Sequence, residues 1–187
     1  HYLKVALRNL LKYKTQTFIS IIGLAVGFVC FALSAYWIHY EMNYDSFHRD
    51  ADRIYWVSAN SRLGLPYPIG NYWHKNYVEI EDYAVFEIYG QGLYFNKKRS
   101  ETYYAFADSS FMEMMDIRIL EGNANFMTSE NQEVAITEEK AKELFGNESP
   151  IGQEVTLGNQ KHSICAVVNG WGKHTNIPYE FMGNLRY

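Results

Sequence analysis

The residues FISIIGLAVGFVCFALSAYWI, from Phe18 to Ile38, form an uninterrupted apolar stretch of 21 residues that contains no charge. A helix of that length would be about 31 Å long at 1.5 Å per residue, which matches the ~30 Å hydrocarbon core of a bilayer. The apolar region of a secretory signal peptide is shorter, about 7–15 residues, so a retained membrane-spanning helix is the better interpretation. The sequence therefore predicts a transmembrane helix over residues 18–40.

The charges on the two sides of this stretch differ. Residues 1–17 hold four cations and no carboxylate, whereas Glu41 and Asp45 follow the apolar residues. Because Lys and Arg are enriched on the cytoplasmic side of membrane helices, we expect residues 1–17 in the cytoplasm and the residues after about 40 outside it. The whole chain has a net charge of −4 and no basic stripe elsewhere, so it lacks the electrostatic features of a nucleic-acid-binding protein.

The N-terminal residues have an amphipathic pattern. Residues 2–14 carry their leucines on one helical face and Lys4, Arg8 and Lys12 on another. A basic amphipathic helix of this kind lies in the membrane interface. We therefore expect residues 1–17 to form a cytoplasmic amphipathic helix in contact with membrane lipid.

Gly23 and Gly27 form a GxxxG pattern inside the apolar stretch. Small residues four positions apart let a second helix approach closely, because no side chain stands between the two backbones. Glycine is also frequent in membrane helices that make no such contact, so both interpretations remain open. The first predicts that Gly23 and Gly27 form a helix-packing site.

Beyond residue 40 the pattern changes to short apolar runs, turn residues and helical patches, which predicts an α+β fold. Apolar residues at helical spacing from Tyr44 to Ile54 predict a short helix that leads into a strand from Ile54 to Ala59. A second short helix is predicted between Pro68 and Tyr77.

Two hairpins are predicted further along the chain. Gly90-Gln91-Gly92 separates predicted strands at Tyr83–Tyr89 and Leu93–Asn96, which places the turn of the first hairpin at the glycines. The second hairpin lies within residues 153–168, with its turn at Gly158-Asn159. Both pairs of strands are expected to be antiparallel.

Two more helices are predicted from their caps. Asp108 precedes a helical patch that contains Phe111, and Asp is a favoured N-cap residue. Thr137 precedes a helix from Glu138 to Phe145, whose early acidic residues suit a helix N-terminus. Gly146 follows at the position where a C-terminal cap belongs.

Motifs for catalysis or cofactor binding are absent from the sequence. Gly172-Lys173-His174-Thr175 lacks the spacing of a phosphate-binding loop. Asp45, His48, Asp50 and Asp52 are residue types that bind metals, but helical spacing brings only His48 and Asp52 onto one face, and two ligands do not complete a site. The sequence therefore predicts no catalytic residue, no metal site and no cofactor, and a protein that is not an enzyme.

A family resemblance rests on short motifs that follow one another in a fixed order. The motifs are Leu3 to Leu11, Ile22 to Gly27, Tyr44-Asp45-Ser46-Phe47-His48, Asp52 to Tyr55, Ala107 to Phe111, Leu120-Glu121-Gly122, Val134 to Glu138 with Leu144-Phe145-Gly146, Pro150-Ile151-Gly152, and Asn176-Ile177-Pro178-Tyr179. In this order they resemble the beginning of a bacterial ABC transporter permease of the MacB/FtsX-like type. The Tyr-Asp-Ser-Phe-His variant is similar to permeases common in the Bacteroidetes.

The resemblance implies a domain organisation. One N-terminal transmembrane helix would be followed by a MacB-like periplasmic core domain with a porter-like α/β lobe at residues 43–108. A small α/β lobe would be inserted at 109–170, and residues 171–187 would return to the porter-like lobe. By comparison with the family, the chain is expected to be a fragment without the end of that lobe and three further membrane helices.

The resemblance also implies a function and partners. The chain would belong to a permease subunit in the bacterial inner membrane, for export or mechanotransmission across the cell envelope, driven by a separate cytoplasmic ATPase. Arg8 and Lys12 on the inner helix are expected to couple it to that ATPase. The further partners implied are membrane lipid, a second copy of the chain or a paired permease half, and a periplasmic partner protein.

A second class of protein fits the same residues. A single-span, membrane-anchored sensor or binding module would also have an interfacial helix, one span and an outward α+β domain. Further membrane spans in the complete protein would favour the permease, and a signalling domain would favour the sensor.

Overall fold

The computed structural model describes residues 4, 8, 11–57, 65–128, 132–172 and 175–185. The chain divides into two compact units, His1–Tyr44 and Asp45–Tyr187, and each is described by itself.

The first unit is dominated by one long helix. Helix α1, Lys14–Met42, has 29 residues, and none of its residues is buried. By length and composition it is the one helix of the described residues that is long and apolar enough to cross a membrane. It contains the predicted segment 18–40 and ends at Asn43, whose side-chain amide donates a 2.7 Å hydrogen bond to the carbonyl of His39.

In its described residues, the second unit contains three helices and seven strands. The helices are α2 (Pro68–Asn76), α3 (Ser109–Met114) and α4 (Glu138–Phe145), and short 3-10 turns lie at Ala51–Arg53 and Ala124–Met127. The strands are β1 (Phe86–Phe95), β2 (Lys98–Ala107), β3 (Ile119–Gly122), β4 (Glu133–Thr137), β5 (Glu154–Leu157), β6 (Gln160–Val168) and β7 (Phe181–Asn184).

The strand pairings form a closed ring. The order is β3-β6-β4-β7-β2-β1-β5, and β5 also pairs with β6. Six strands therefore complete the ring, while β3 pairs with the final residues of β6 and β5 with its first residues. The β2–β7 and β4–β6 pairs are parallel, and the other pairs are antiparallel. A closed ring leaves fewer exposed strand edges than an open sheet does.

Both faces of β4 are buried, and its successive side chains point to opposite sides of the sheet. In β4, Val134 and Ile136 join a cluster with Phe181 and the partly buried Leu144 and Phe145 of α4. The intervening Ala135 belongs to a second cluster, with Phe111 and Met115 at α3 and Phe126 and Met182. The mixture of helices and sheet confirms the predicted α+β class.

The two predicted caps are present. The Asp108 carboxylate accepts a 2.9 Å hydrogen bond from the backbone N–H of Phe111, and the Thr137 hydroxyl accepts from the N–H of Lys140. Gly146 ends α4 with a φ of 63°, a left-handed conformation that glycine adopts without steric cost. Helices α3 and α4 therefore begin where their cap residues predict.

The first predicted hairpin is wrong in the position of its turn. Gly90-Gln91-Gly92 lie inside β1, where they pair with residues 103–101 of β2. The turn is at Asn96-Lys97, whose φ angles are 48° and 61°. A two-residue hairpin turn of the favoured type needs two positive φ angles, and Asn tolerates the left-handed region better than most residues. The second predicted hairpin is confirmed as β5 and β6.

The segment after α1 also differs from the prediction. Turns and the 3-10 turn Ala51–Arg53 replace the expected helix between Tyr44 and Ile54. Residues 54–57 have no regular structure, so the predicted strand is wrong there, and its last two residues lie outside the described ones. A φ of 54° at Asp45 and contacts to a distant loop divert this segment from a helical path.

The predicted lobes contribute to a common sheet. Residues 43–108 supply β1 and β2, residues 109–170 supply β3 to β6, and residues 171–187 supply β7. Strand β7 lies between β2 and β4. The division into a porter-like and an inserted lobe stays a prediction.

Candidate functional site

The second unit, Asp45–Tyr187, is called the sheet unit below. Its first segment, residues 45–53, is attached to a distant loop of the same unit by Asp45. Its carboxylate accepts hydrogen bonds from the backbone N–H of Asn176, at 3.1 and 3.2 Å from its two oxygens. It also accepts a 2.9 Å bond from the Asn176 side-chain amide. The contact joins two residues that are 131 positions apart in the sequence. Hydrogen bonds to a carboxylate are stronger than those between neutral groups, so the contact holds the segment firmly to the loop.

His48 forms a second attachment in the same segment. Its side chain is buried, and its ring meets the edge of Trp171 at a centroid distance of 4.8 Å and an angle of 90°. Among the described residues, the His48 Nε2 atom is buried without a hydrogen-bond partner. Burial lowers the pKa of His48, while Asp45, the backbone of Met115 and Asp116 oppose that shift to a smaller extent. Burial therefore favours the neutral form of the ring.

The loop that receives both attachments, called the 169–180 loop, is tied to its surroundings through its described residues, 169–172 and 175–180. The Asn169 side chain accepts a 2.6 Å bond from the N–H of Arg118 and donates to the carbonyl of Asp116. The Tyr179 hydroxyl donates a 2.6 Å bond to the carbonyl of Asn169, and its ring lies 4.8 Å from that of Trp171. Burial raises the pKa of Tyr179, so the hydroxyl keeps the proton that it donates.

The end of this loop enters the sheet through Glu180. The buried Lys140 ammonium lies 3.3 Å from a Glu180 carboxylate oxygen and 3.1 Å from Glu143. The Thr102 hydroxyl also donates to Glu180. The backbone of Glu180 donates to the carbonyl of Tyr103 and accepts from Thr137, each at 2.9 Å. A buried charge is tolerated when it is paired in this way, and the pairing holds β7 between β2 and β4.

A recess of about 90 Å³ lies at one end of the sheet unit. Its lining includes Tyr104, Phe106, Glu133, His162 and Asn184. Pockets that hold small organic ligands are larger, about 300–1,000 Å³. This recess therefore does not have the size of a substrate pocket.

The predicted helix-packing residues lie on α1. A Cβ atom placed on Gly23 or Gly27 would meet nothing within 4 Å, so both glycines present bare backbone. They are four residues apart and share one helical face. Their contact with a second helix stays a prediction.

The predicted coupling residues, Arg8 and Lys12, are helical and exposed. The leucines at positions 3, 7 and 10 of the predicted amphipathic helix lie outside the described residues. The role of Arg8 and Lys12 therefore stays a prediction.

The residues set aside as a weak metal cluster have different roles. Asp45 and His48 make the attachments to Asn176 and Trp171, and Asp50 pairs with Arg49 at 3.2 Å. Within the described ranges, no group of three His, Cys, Asp or Glu side chains is arranged to hold a metal. The sequence motifs contain Asp45, His48 and Asn176, but nothing in their spacing indicates that they meet.

Together these features define a class: a membrane-length helix joined in sequence to an α+β domain, whose first segment contacts Trp171 and Asn176. A family model for the MacB-like periplasmic core domain matches residues 17–182. The chain belongs to this family, which is one of ABC-type transporter permeases rather than of typical enzymes. No curated protein matches the chain.

Two solved structures share the fold at low sequence identity, and a third is similar at a lower score. The periplasmic region of MacB from Actinobacillus actinomycetemcomitans has a TM-score of 0.54 and 16% identity, over 72% of this chain and 60% of that one. A domain assigned to a permease protein from Porphyromonas gingivalis has a TM-score of 0.52 and 16% identity, over 62% and 51%. The extracellular domain of the noncanonical ABC-type transporter YknZ from Gram-positive bacteria has 0.45 and 17%, over 54% and 52%. The chain thus spans between about half and three fifths of these structures.

Proposed function

We propose that this chain is part of the permease subunit of an ABC transporter of the type common in the Bacteroidetes, which a separate cytoplasmic ATPase drives for export or mechanotransmission. The observation that carries the proposal is the match to the MacB-like periplasmic core domain. The match begins within α1 and extends to β7, so it includes both units of the chain. The chain itself would carry out no chemistry and bind no cofactor.

The proposed location is the bacterial inner membrane, with residues 1–17 in the cytoplasm and the residues after about 40 in the periplasm. Two features of α1 support this topology. Its apolar residues are exposed, which suits lipid, and cations precede its charge-free stretch, residues 18–38, while Glu41 follows that stretch. The periplasmic unit would contain a porter-like lobe at 43–108 and 171–187 and an inserted lobe at 109–170.

Arg8 and Lys12 would transmit the action of the ATPase at the inner surface. Both side chains are exposed and positively charged, and an acidic surface on a partner would complement them. Gly23 and Gly27 would pack against a second copy of the chain or a paired permease half. A periplasmic partner protein would bind the sheet unit and respond to the conformational change that the ATPase drives.

Co-purification from cells that express the complete permease and its ATPase tests this proposal. The paired substitution Arg8→Glu and Lys12→Glu should lower the amount of ATPase recovered, because it reverses the charge at the inner surface. The matched control, Lys97→Glu with Lys98→Glu, makes the same charge change at the β1–β2 turn and should leave recovery unchanged.

Equal recovery of the ATPase from both double variants would contradict the role of Arg8 and Lys12. Nucleotide binding by the purified permease alone would contradict the separate ATPase. If wild-type protein recovered a signalling partner and no ATPase, the membrane-anchored sensor would be the better function.

A further inference from the structure

We propose that Asp45 and His48 form a mechanical attachment, which passes displacement of the chain at Tyr44 into the 169–180 loop and from there into β7. This inference rests on the proposed function, because it concerns how the sheet unit responds to the membrane-bound part of the permease. Asp45 and His48 are positioning residues in this account.

The first step of the path is the Asp45–Asn176 contact. Asp45 directly follows Tyr44, so any displacement that travels along the backbone reaches it at once. Its carboxylate binds the backbone N–H of Asn176 as well as the side-chain amide, so movement of Asp45 acts on the main chain of the loop. Its φ of 54° lies in the left-handed region.

The second step is the His48–Trp171 contact. Residue 48 is 6% exposed, although the neighbouring Phe47 and Arg49 are exposed, so only one side chain of this stretch enters the interior. It lies against Trp171, which precedes Asn176 in the loop by five residues. Two attachments at separate points resist rotation as well as translation of residues 45–48 against the loop.

The third step leads from the loop into the sheet. Tyr179 and Asn169 close the loop through a hydrogen bond of 2.6 Å, so its two ends move together. Glu180 follows Tyr179 and is bound by Lys140, Thr102 and the backbone of Tyr103. The next residue begins β7, which pairs with β2 and β4. The path therefore ends at a strand with partners on both sides.

Asp52 provides a matched control within the same segment. It is exposed and lies in the 3-10 turn Ala51–Arg53. Removing its carboxylate changes the charge of the segment as Asp45→Ala does, but it leaves the contacts with Asn176 and Trp171 in place.

The test is hydrogen exchange of the full-length permease with its ATPase in lipid nanodiscs, with and without ATP. In the wild-type complex, ATP should change exchange in residues 45–57 and in 175–185. Asp45→Ala should keep the change in 45–57 and lose it in 175–185, with ATP hydrolysis retained. Asp52→Ala should behave as the wild type does. Unchanged exchange of β4 and β6 would show that the variants are folded.

A charge exchange provides the second arm of the test. Asn176→Asp places two carboxylates together and should abolish the response in residues 175–185. Combining it with Asp45→Asn restores one carboxylate opposite one amide and should restore the response.

An ATP response in residues 175–185 that survives Asp45→Ala would overturn the attachment, and so would a double variant that fails to recover the response. Failure of the proposed function would be visible earlier, as wild-type permease that recovers no ATPase.

Discussion

Helix α1 and the sheet unit are both rich in apolar residues, but α1 exposes its apolar side chains whereas the sheet unit buries many of its own. Phe31 of α1 is 72% exposed, whereas Phe181 of β7 is fully buried. A helix satisfies its backbone hydrogen bonds internally and can expose apolar side chains on every face to lipid. A strand needs neighbours for its hydrogen bonds, and the same neighbours cover its side chains.

The difference shows what stabilises each region. The sheet unit depends on packing between distant parts of the chain, such as β2, β4 and β7, whereas α1 depends on its surroundings. Substitutions in the core should therefore affect folding, and substitutions on α1 should affect insertion or association.

We expect the greatest change in stability when a buried phenylalanine is replaced, and none when an exposed one is replaced. Phe181→Ala should destabilise the sheet unit by about 3–5 kcal/mol, because it removes buried apolar surface and leaves a cavity. Phe31→Ala makes the same chemical change on the exposed surface of α1 and should leave that stability unchanged. Thermal unfolding of the chain in detergent, followed by near-ultraviolet circular dichroism, measures both.

Equal losses of stability in the two variants would contradict the difference between the two regions, since α1 would then contribute to the same folded core. No loss in Phe181→Ala would show that β7 is not central to the sheet.

A smaller effect is expected for association in the membrane. Gly27→Leu should weaken helix pairing by roughly tenfold, because the added side chain separates the two backbones. Ala25→Leu places the same side chain on the opposite face of α1 and should have no effect. Förster transfer between labelled copies in vesicles measures the association. Equal pairing in both variants would indicate that Gly23 and Gly27 face lipid.

The smallest effect concerns pH in the sheet unit. The pKa of His48 is lowered by burial from its ordinary value of 6.5, so the unfolded chain binds more protons near and below that pH. Stability should therefore fall as the pH drops below about 6.5. The carboxylates of Asp45 and Asp116 and the backbone of Met115 reduce this fall, because they favour the protonated ring.

Urea unfolding at several pH values measures that dependence. His48→Phe removes the titrating group and should make the slope below pH 6.5 shallower. A slope unaffected by His48→Phe would assign the pH dependence to other groups.

The sequence predicted those elements of the fold that depend on neighbouring residues, such as an apolar helix or a helix cap. The length of the apolar stretch predicted α1, and the caps Asp108 and Thr137 predicted the starts of α3 and α4. The Gly90-Gln91-Gly92 turn was wrong because strand pairing with β2 outweighs the turn preference of glycine at these positions. In an isolated sequence, Asn96 carried a weaker turn signal than two glycines did.

The candidate site was beyond sequence reasoning for a different reason. Asp45 and Asn176 meet across 131 positions, and neither residue type indicates its partner. The expected helix after Tyr44 was wrong for the same reason, because the contacts of Asp45 and His48 with a distant loop compete with local helical spacing. The ring closure by β5 likewise depends on pairings with both β1 and β6.

We propose that α1 crosses the membrane and separates a cytoplasmic N-terminus from an external sheet unit. Cysteines introduced one at a time at Lys12 and Lys97, in a chain with Cys30 and Cys165 replaced by Ser, test it through an impermeant maleimide on intact spheroplasts. We expect labelling of Lys97→Cys in intact spheroplasts and of Lys12→Cys only after permeabilisation. Labelling of Lys12→Cys alone, or of both sites before permeabilisation, would contradict it.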